Sequence, residues 1–392
     1  MTSAPCLLRG ITWNHSRAYP PLIATSQRFE ELNPGTTIQW EKRSLHAFGH
    51  ASVSELAELF DLVVVDHPWC GYSVDRRVFV NLRNWVKGEF LDELRRESVG
   101  ASFSSYEYRD ELVALPIDAA APAASFRPDL IAPEDIPKNW DDLIRLAVGG
   151  QVALSGFHVD LLLHLVMLAA TLEANVFGSD EEWTDPDTSR RAMNMLRQLV
   201  SLVPKGCLEW NPIAVYEAMS RGDEFVYCPF AYTYSNYARR GFARKTLRFA
   251  DLIEIPGFGM LRSVLGGTGI ALSARCPHRE QALAYMAFLA SGDIQKGIYL
   301  ENGGQPAYRA AWLDDRANFV TGDFFQSTLR SMENAYVRPR YNGYLHFQEN
   351  AGRPLLAWLH GDMGLERTIE EVNRIYRESL NRAQTPADLD SC

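Results

Sequence analysis

The sequence predicts an α/β protein of two domains, and three features predict it. Its 392 residues exceed what one compact core usually holds. Strand and helix signals alternate from the start of the chain. The run Asp61-Leu62-Val63-Val64-Val65-Asp66 is unbroken apolar sequence between two carboxylates. Such a run marks a strand buried on both faces of a parallel sheet.

The elements follow in order. Leu7 to Trp13 is a short strand rich in β-branched and aromatic residues. Pro20 and Pro21 suit the first turn of a helix, where a missing N–H costs nothing. Leu22, Ile23, Phe29 and Leu32 keep the helical period, and Asn33-Pro34-Gly35 ends it. Thr36 to Trp40 is a second strand, and Val53 to Phe60 a second helix with Leu56, Leu59 and Phe60 on one face. The opening is therefore β-α-β-α-β, a sheet covered by helices on both sides. Glu111 to Ala120 is extended and apolar with Pro116 and Asp118 inside it; it is either another strand or a crossover between domains. Helices are expected near Trp140–Val148, Asp160–Asn175, Ser189–Val203 and Pro212–Met219, with a β pattern over Gln151–Ser155. Gly269–Ser273 is a strand followed by a helix over Arg279–Leu289.

Composition removes several function classes. Hydrophobic residues are 46% and charged residues 22%, the ordinary globular range, so disordered and fibrous classes are out. The net charge of −10 and the absence of a Lys/Arg run argue against a nucleic-acid partner and against attachment to anionic lipid by charge. The six cysteines form no CxxC pair and read as free, mostly buried thiols. The longest apolar run, Leu161 to Leu172, is too short to cross a bilayer and reads as a buried core helix. Met1 to Arg9 lacks a basic segment followed by an apolar stretch, so it is not a signal peptide.

Catalytic signatures are missing. His46 and His50 have helical i, i+4 spacing, but Ala47-Phe48-Gly49 between them suits a loop and no Glu follows His46. No Gly-x-Ser-x-Gly elbow is present. Gly266-Gly267-Thr268-Gly269 precedes a strand instead of joining a strand to a helix, so it is no phosphate loop. It is expected to mark a close backbone approach. The sequence points to no catalytic residue, no metal and no cofactor.

What the chain does offer is polar and aromatic groups at strand ends. In parallel sheets ligands sit outside the carboxyl ends of the strands. Those ends here carry Trp13-Asn14-His15, Glu41-Lys42-Arg43 and Asp66-His67-Pro68-Trp69. Farther on, Phe230, Tyr232 and Tyr234 would point one way in an extended segment. They would form either a core face or a ladder of rings for the apolar face of a sugar. Trp210 precedes Asn211-Pro212 at a helix start, from which a ring can project.

In order and spacing, several motifs resemble the extracellular solute-binding proteins of ABC importers, in the carbohydrate-binding group that includes maltose-binding proteins. They are Phe29-Glu30-Glu31-Leu32-Asn33-Pro34-Gly35, Asp61 to Asp66, Ala114-Leu115-Pro116-Ile117-Asp118, Gly266 to Ser273, Ala282 to Ser291 and Gly303-Gly304-Gln305-Pro306-Ala307. The resemblance implies a two-lobed, periplasmic-binding-protein-like α/β fold (type II), with the solute in a cleft between lobes joined by a hinge. It implies one lobe from residues 1–117 and 267–312 and another from 118–266 and 313–392. Carried onto this chain, the ligand-binding candidates of the first lobe are Trp13, Asn14, His15, Arg43, Asp66, His67 and Trp69. From the hinge and second lobe come Asp118, Trp210, Tyr232, Tyr234 and Gly267. The implied protein is a monomeric, non-enzymatic receptor that delivers a carbohydrate or similar solute to ABC permease subunits. Its implied place is periplasmic or extracytoplasmic, with a cytoplasmic alternative because no signal is written. The rivals are an enzyme that reuses the fold and a receptor for an organic anion or amine. Arg43 and His67 would suit an anion; the tyrosines suit a sugar.

Overall fold

The computed structural model describes residues 6–45 and 52–383 of the chain. Met1–Pro5, Cys392 and the His46/His50 pair lie outside the described residues. The strands that matter below are β1 (Cys6–Trp13), β2 (Thr36–Arg43), β3 (Leu62–Val65), β4 (Leu115–Ala120), β5 (Pro122–Phe126), β6 (Tyr227–Tyr232), β7 (Arg248–Ala250) and β8 (Gly266–Leu272). The principal helices are α1 (Tyr19–Leu32), α2 (Val53–Leu59), α3 (Trp140–Val148), α4 (His158–Leu172), α5 (Pro186–Val200), α6 (Pro212–Arg221), α7 (Arg279–Ala290) and α8 (Leu365–Ala383).

The chain divides into two compact units. Unit one holds Met1–Ala120, Tyr234–Asn236 and Leu265–Gln326; unit two holds Ala121–Thr233, Tyr237–Val264 and Ser327–Cys392.

Unit one is built on a five-stranded sheet in the order β2-β1-β3-β8-β4. The pairs β1–β2 and β1–β3 are parallel, while β8 runs antiparallel to both β3 and β4. All four residues of β3 are buried, as its apolar run requires. The edge strand β2 buries only alternate residues such as Ile38 and Trp40, because one of its faces meets solvent. Pro116 is tolerated in β4 because that strand is the other edge, where a missing N–H breaks no ladder. The stretch left open between strand and crossover ends in a sheet strand, and the chain leaves unit one directly after it, at Ala120.

Unit two is built on the antiparallel sheet β6-β5-β7 with helices packed around it. Helix α4 is buried from Asp160 through Ala170, which explains its near-continuous apolar sequence. It packs against α5 and against the helix Gly352–His360. No described helix is long and apolar enough to cross a membrane. The β pattern expected over Gln151–Ser155 reduces to a single bridge, Val152 to Tyr227, since Gly149-Gly150 and Gly156 cut the segment too short for a strand.

Candidate functional site

Sheet direction decides which residues of unit one meet. β8 is antiparallel to both neighbours, so β1, β2, β3 and β4 all end at the edge where β8 begins. Trp13 pairs with Arg43 across β1 and β2, and the Asn14 backbone N donates to Arg43 O at 2.7 Å. Asp66 and His67 follow β3 directly. Asp118 pairs with Thr268, and Ala119 with Gly267. Trp13, Asn14, His15, Arg43, Asp66, His67, Asp118 and Gly267 are therefore brought to one end of one sheet.

The lobe bounds read from the sequence put Asp118 and Tyr234 in the second lobe, whereas both fall in unit one, together with Gly267, which those bounds already gave to the first lobe. β4 and β8 complete its sheet, and Tyr234–Asn236 is bonded into it. The Ser235 backbone N donates to Gln305 Oε1 at 3.0 Å, and Asn236 Nδ2 donates to Gly303 O at 3.3 Å. Gly267 has φ +96°, and a Cβ there would lie 2.3 Å from Asp118 O. That is the close backbone approach expected of the glycine cluster.

Asp118 is 1% exposed and needs a partner, which is Arg17. Arg17 Nε donates to Asp118 Oδ1 at 2.8 Å, and Nη2 donates to Oδ2. Burial pushes the Asp118 carboxyl above the usual carboxylate range, Arg17 pulls it back, and Asp66 adds to the upward push. Burial also opposes the Arg17 charge, but Asp118 more than compensates and keeps it protonated. The guanidinium lies 4.9 Å from the Tyr234 ring centre and 6.0 Å from that of Trp13. Sequence reasoning missed Arg17. A carboxylate inside an apolar strand signals a cationic partner, but nothing in the sequence says which of 39 basic residues supplies it.

His15 sits at the same end, its ring edge-on to Tyr234 at 4.6 Å. Its Nδ1 accepts from the Arg17 backbone N at 2.9 Å, so the neutral ring carries its proton on Nε2. Burial, helped by Arg17, lowers its pKa to about 4. Arg43 is half-buried, and burial lowers its pKa to about 10.

Asp66 caps the short turn His67–Trp69 by accepting from the His67 backbone N at 2.8 Å, and it lies 3.1 Å from His67 Nδ1. Its side chain is still 25% exposed. His67 is fully buried beside Tyr106, and Trp13 is buried as well, so both face the core of unit one. Trp69 is half-buried, edge-on to Tyr72 at 5.4 Å.

In unit two the tyrosine ladder does not form. β6 ends at Tyr232, and a register shift opposite Ala123–Ser125 breaks its alternation. Phe230 is buried against His164 at 4.6 Å, Tyr232 is half-buried, and Tyr234 lies beyond the strand in unit one. Trp210 is half-buried and edge-on to Phe225 at 5.4 Å. It precedes the α6 cap, where Asn211 Oδ1 accepts from the Ala214 backbone N at 3.0 Å.

Unit two also holds a polar group that sequence reasoning passed over. Asp160 stands in the first turn of α4, where an acid is unremarkable by sequence. It is nonetheless buried, burial holds its carboxyl well above the usual range, and no hydrogen bond reaches it among the described residues. His164, one turn on, lies 3.3 Å through Nε2 from Ser155 Oγ, and its Nδ1 has no partner among the described residues. Ser155, His164 and an Asp thus share one region, but Ser155 and His164 are 0% and 2% exposed and no carboxylate orients the ring. A catalytic triad needs both access and that orientation. No group of three metal-ligating side chains occurs among the described residues.

One end of the unit-one sheet thus gathers polar side chains beside a buried, mutually neutralised ion pair. Residues 24–313 match the family of bacterial extracellular solute-binding proteins, and the chain belongs to that family. Among curated proteins, none matches this chain in sequence. Similar solved structures include an ABC transporter solute-binding protein from Agrobacterium radiobacter K84 in complex with ribitol, with 18% identity, a TM-score of 0.81, and 96% of this chain and 99% of that one covered. Maltose-bound MalE3 of T. maritima has 16% identity and a TM-score of 0.79 over 95% of this chain and 99% of its own. A solute-binding protein of Thermotoga lettingae bound to α-D-tagatose has 15% identity and a TM-score of 0.79, covering 96% of this chain and 100% of that one. These likenesses show a shared two-lobed fold.

Proposed function

We propose that this chain captures an uncharged carbohydrate or polyol outside the cytoplasm and delivers it to the permease of an ABC importer, acting as a monomer and without chemistry of its own. The observation that carries the reading is the ion pair at the strand ends of unit one. Arg17, the buried cation there, is already matched by Asp118, and His15 is neutral at pH 7. A second anion brought by the solute would find that cation engaged. Hydroxyl groups, in contrast, suit the remaining set: Asn14, the Nε2–H of His15, and Asp66 as acceptor. Asn14, His15, Arg43, Asp66 and Trp69 are the proposed contacts of unit one. Trp13, His67, Tyr234, Asp118 and Gly267 position them from beneath. Trp210 and Tyr232 keep their proposed role as ring faces in unit two. The ribitol, maltose and tagatose held by the similar structures support a neutral polyol.

Thermal-shift screening against sugars, polyols, amino acids and organic acids tests this. A solute far above its Kd stabilises the folded state by a few kcal/mol, so a sugar or polyol should raise the melting temperature. A response confined to organic acids or amines overturns the reading.

A further inference from the structure

We infer that unit two carries a second binding site, for a phosphorylated polyol, in a cavity at the C-terminal end of α4. The cavity is about 450 Å³ and is lined by Thr171, Met260, Arg262, Arg330, Glu333 and Asn334 among others. Thr171 is in the last turn of α4, whereas Trp210 O accepts from the Phe157 backbone N at the opposite end of that helix. Fifteen helical residues separate the ends, roughly 20 Å at the usual rise per residue. The cavity is thus a different place from the aromatic face at Trp210.

Its chemistry is cationic in a chain of net charge −10. The Arg262 side chain is fixed: Nε donates to Asn334 O at 3.3 Å, and the guanidinium lies 5.2 Å from the Tyr336 ring centre. Its backbone N donates to Thr171 Oγ1 at 2.8 Å. Among the described residues, no acceptor occupies its two Nη groups. Arg330 is exposed; its backbone O accepts from the Asn334 backbone N at 3.0 Å and from Asn334 Nδ2 at 2.9 Å, while its guanidinium makes no hydrogen bond or ion pair among the described residues. Asp251, which feels its charge, is held by the backbone N and Oγ of Ser331, both at 2.8 Å. Arg191 stacks 4.5 Å over the ring of Phe258, which also lines the cavity. Planar guanidinium groups with open donors match phosphate oxygens.

Glu333 lines the same cavity and makes it a poor host for a bare anion. A ligand that brings hydroxyl donors beside its phosphate satisfies both: phosphate on Arg262 and Arg330, hydroxyls on Glu333 and Asn334. That chemistry has two sources, a free polyol phosphate and the head group of phosphatidylglycerol.

Calorimetric titration of the full chain with glycerol 1-phosphate tests the site, beside glycerol and inorganic phosphate, with R262Q/R330Q and Arg330→Gln as variants. Saturable binding of glycerol 1-phosphate is expected, tighter than that of either fragment and weakened about tenfold or more in the double variant. Thermal-shift response to the transported solute should not change. Flotation with phosphatidylglycerol against phosphatidylcholine vesicles assigns the source: arginine-dependent flotation names the head group, and soluble binding alone names the free phosphate. The site is overturned if no form of the ligand binds, or if binding is equal in the variants. Should the double variant melt early, Arg330→Gln alone, on the surface, decides by the same criterion.

Discussion

Arg17 and Asp118, 101 residues apart, meet in a bidentate ion pair whose side chains are 5% and 0% exposed. The pair ties the segment after β1 to β4, where Asp118 stands two residues before the strand's end, and its two charges cancel each other. Removing one partner strands the other as a buried charge, so Arg17→Met or Asp118→Leu should each cost about 3–5 kcal/mol. The double variant should recover most of that loss. Urea unfolding of the three proteins measures it, and single variants within 1 kcal/mol of the parent, roughly the worth of a surface pair, contradict it.

Trp210 is half-buried and touches Phe225 edge-on. Trp210→Ala should therefore cost about 1 kcal/mol of stability, well under the 3–5 kcal/mol of a core tryptophan. Solute affinity should fall by about 1–2 kcal/mol. Unfolding and titration on the same variant separate the two effects. A core-sized stability loss with unchanged affinity rejects the role.

Asp66 combines a cap with a partly exposed carboxylate. Asp66→Ala should lose about 1 kcal/mol of stability with the cap. If the carboxylate also accepts solute hydroxyls, affinity falls by about 1.5–3 kcal/mol, the worth of hydrogen bonds to a charged group. Asp66→Asn retains one side-chain acceptor and should recover the cap but only part of the affinity. An Asp66→Ala variant with reduced melting temperature and intact affinity limits Asp66 to its structural part.

Burial lowers the His164 pKa to about 3. The folded state thus favours the neutral ring, and the unfolded state binds the extra proton. The stability this adds is complete above the unfolded value near 6.5 and is lost as pH falls from there toward 3. Parent and His164→Gln, compared by chemical unfolding, should differ by an amount that changes by up to about 1.4 kcal/mol per pH unit in that window. A constant difference from pH 7 to pH 4 contradicts it.

Much of unit one was legible because its signals are local. The Leu62–Val65 run, the Asn33-Pro34-Gly35 stop and the glycine cluster each state their role in a few residues. The gathering of Trp13, Arg43 and Asp66 follows from parallel pairing of consecutive strands. What the sequence hides is long-range. Arg17 meets Asp118 only because β8 inserts between β3 and β4. The ladder from Phe230 to Tyr234 fails because a register shift cannot be read from alternation alone. His67 looks like a ligand at a strand end, yet its ring turns into the core beside Tyr106. Asp160 looks like an ordinary helix-start acid because burial by distant segments leaves no local mark.

The most direct test of the receptor reading is calorimetric titration with the sugar or polyol found by thermal shift, followed by recovery of that solute from the complex. One saturable site per chain and solute returned chemically unchanged are the predicted result. Solute consumed or converted during the titration, or no neutral solute bound by a folded chain, would contradict it.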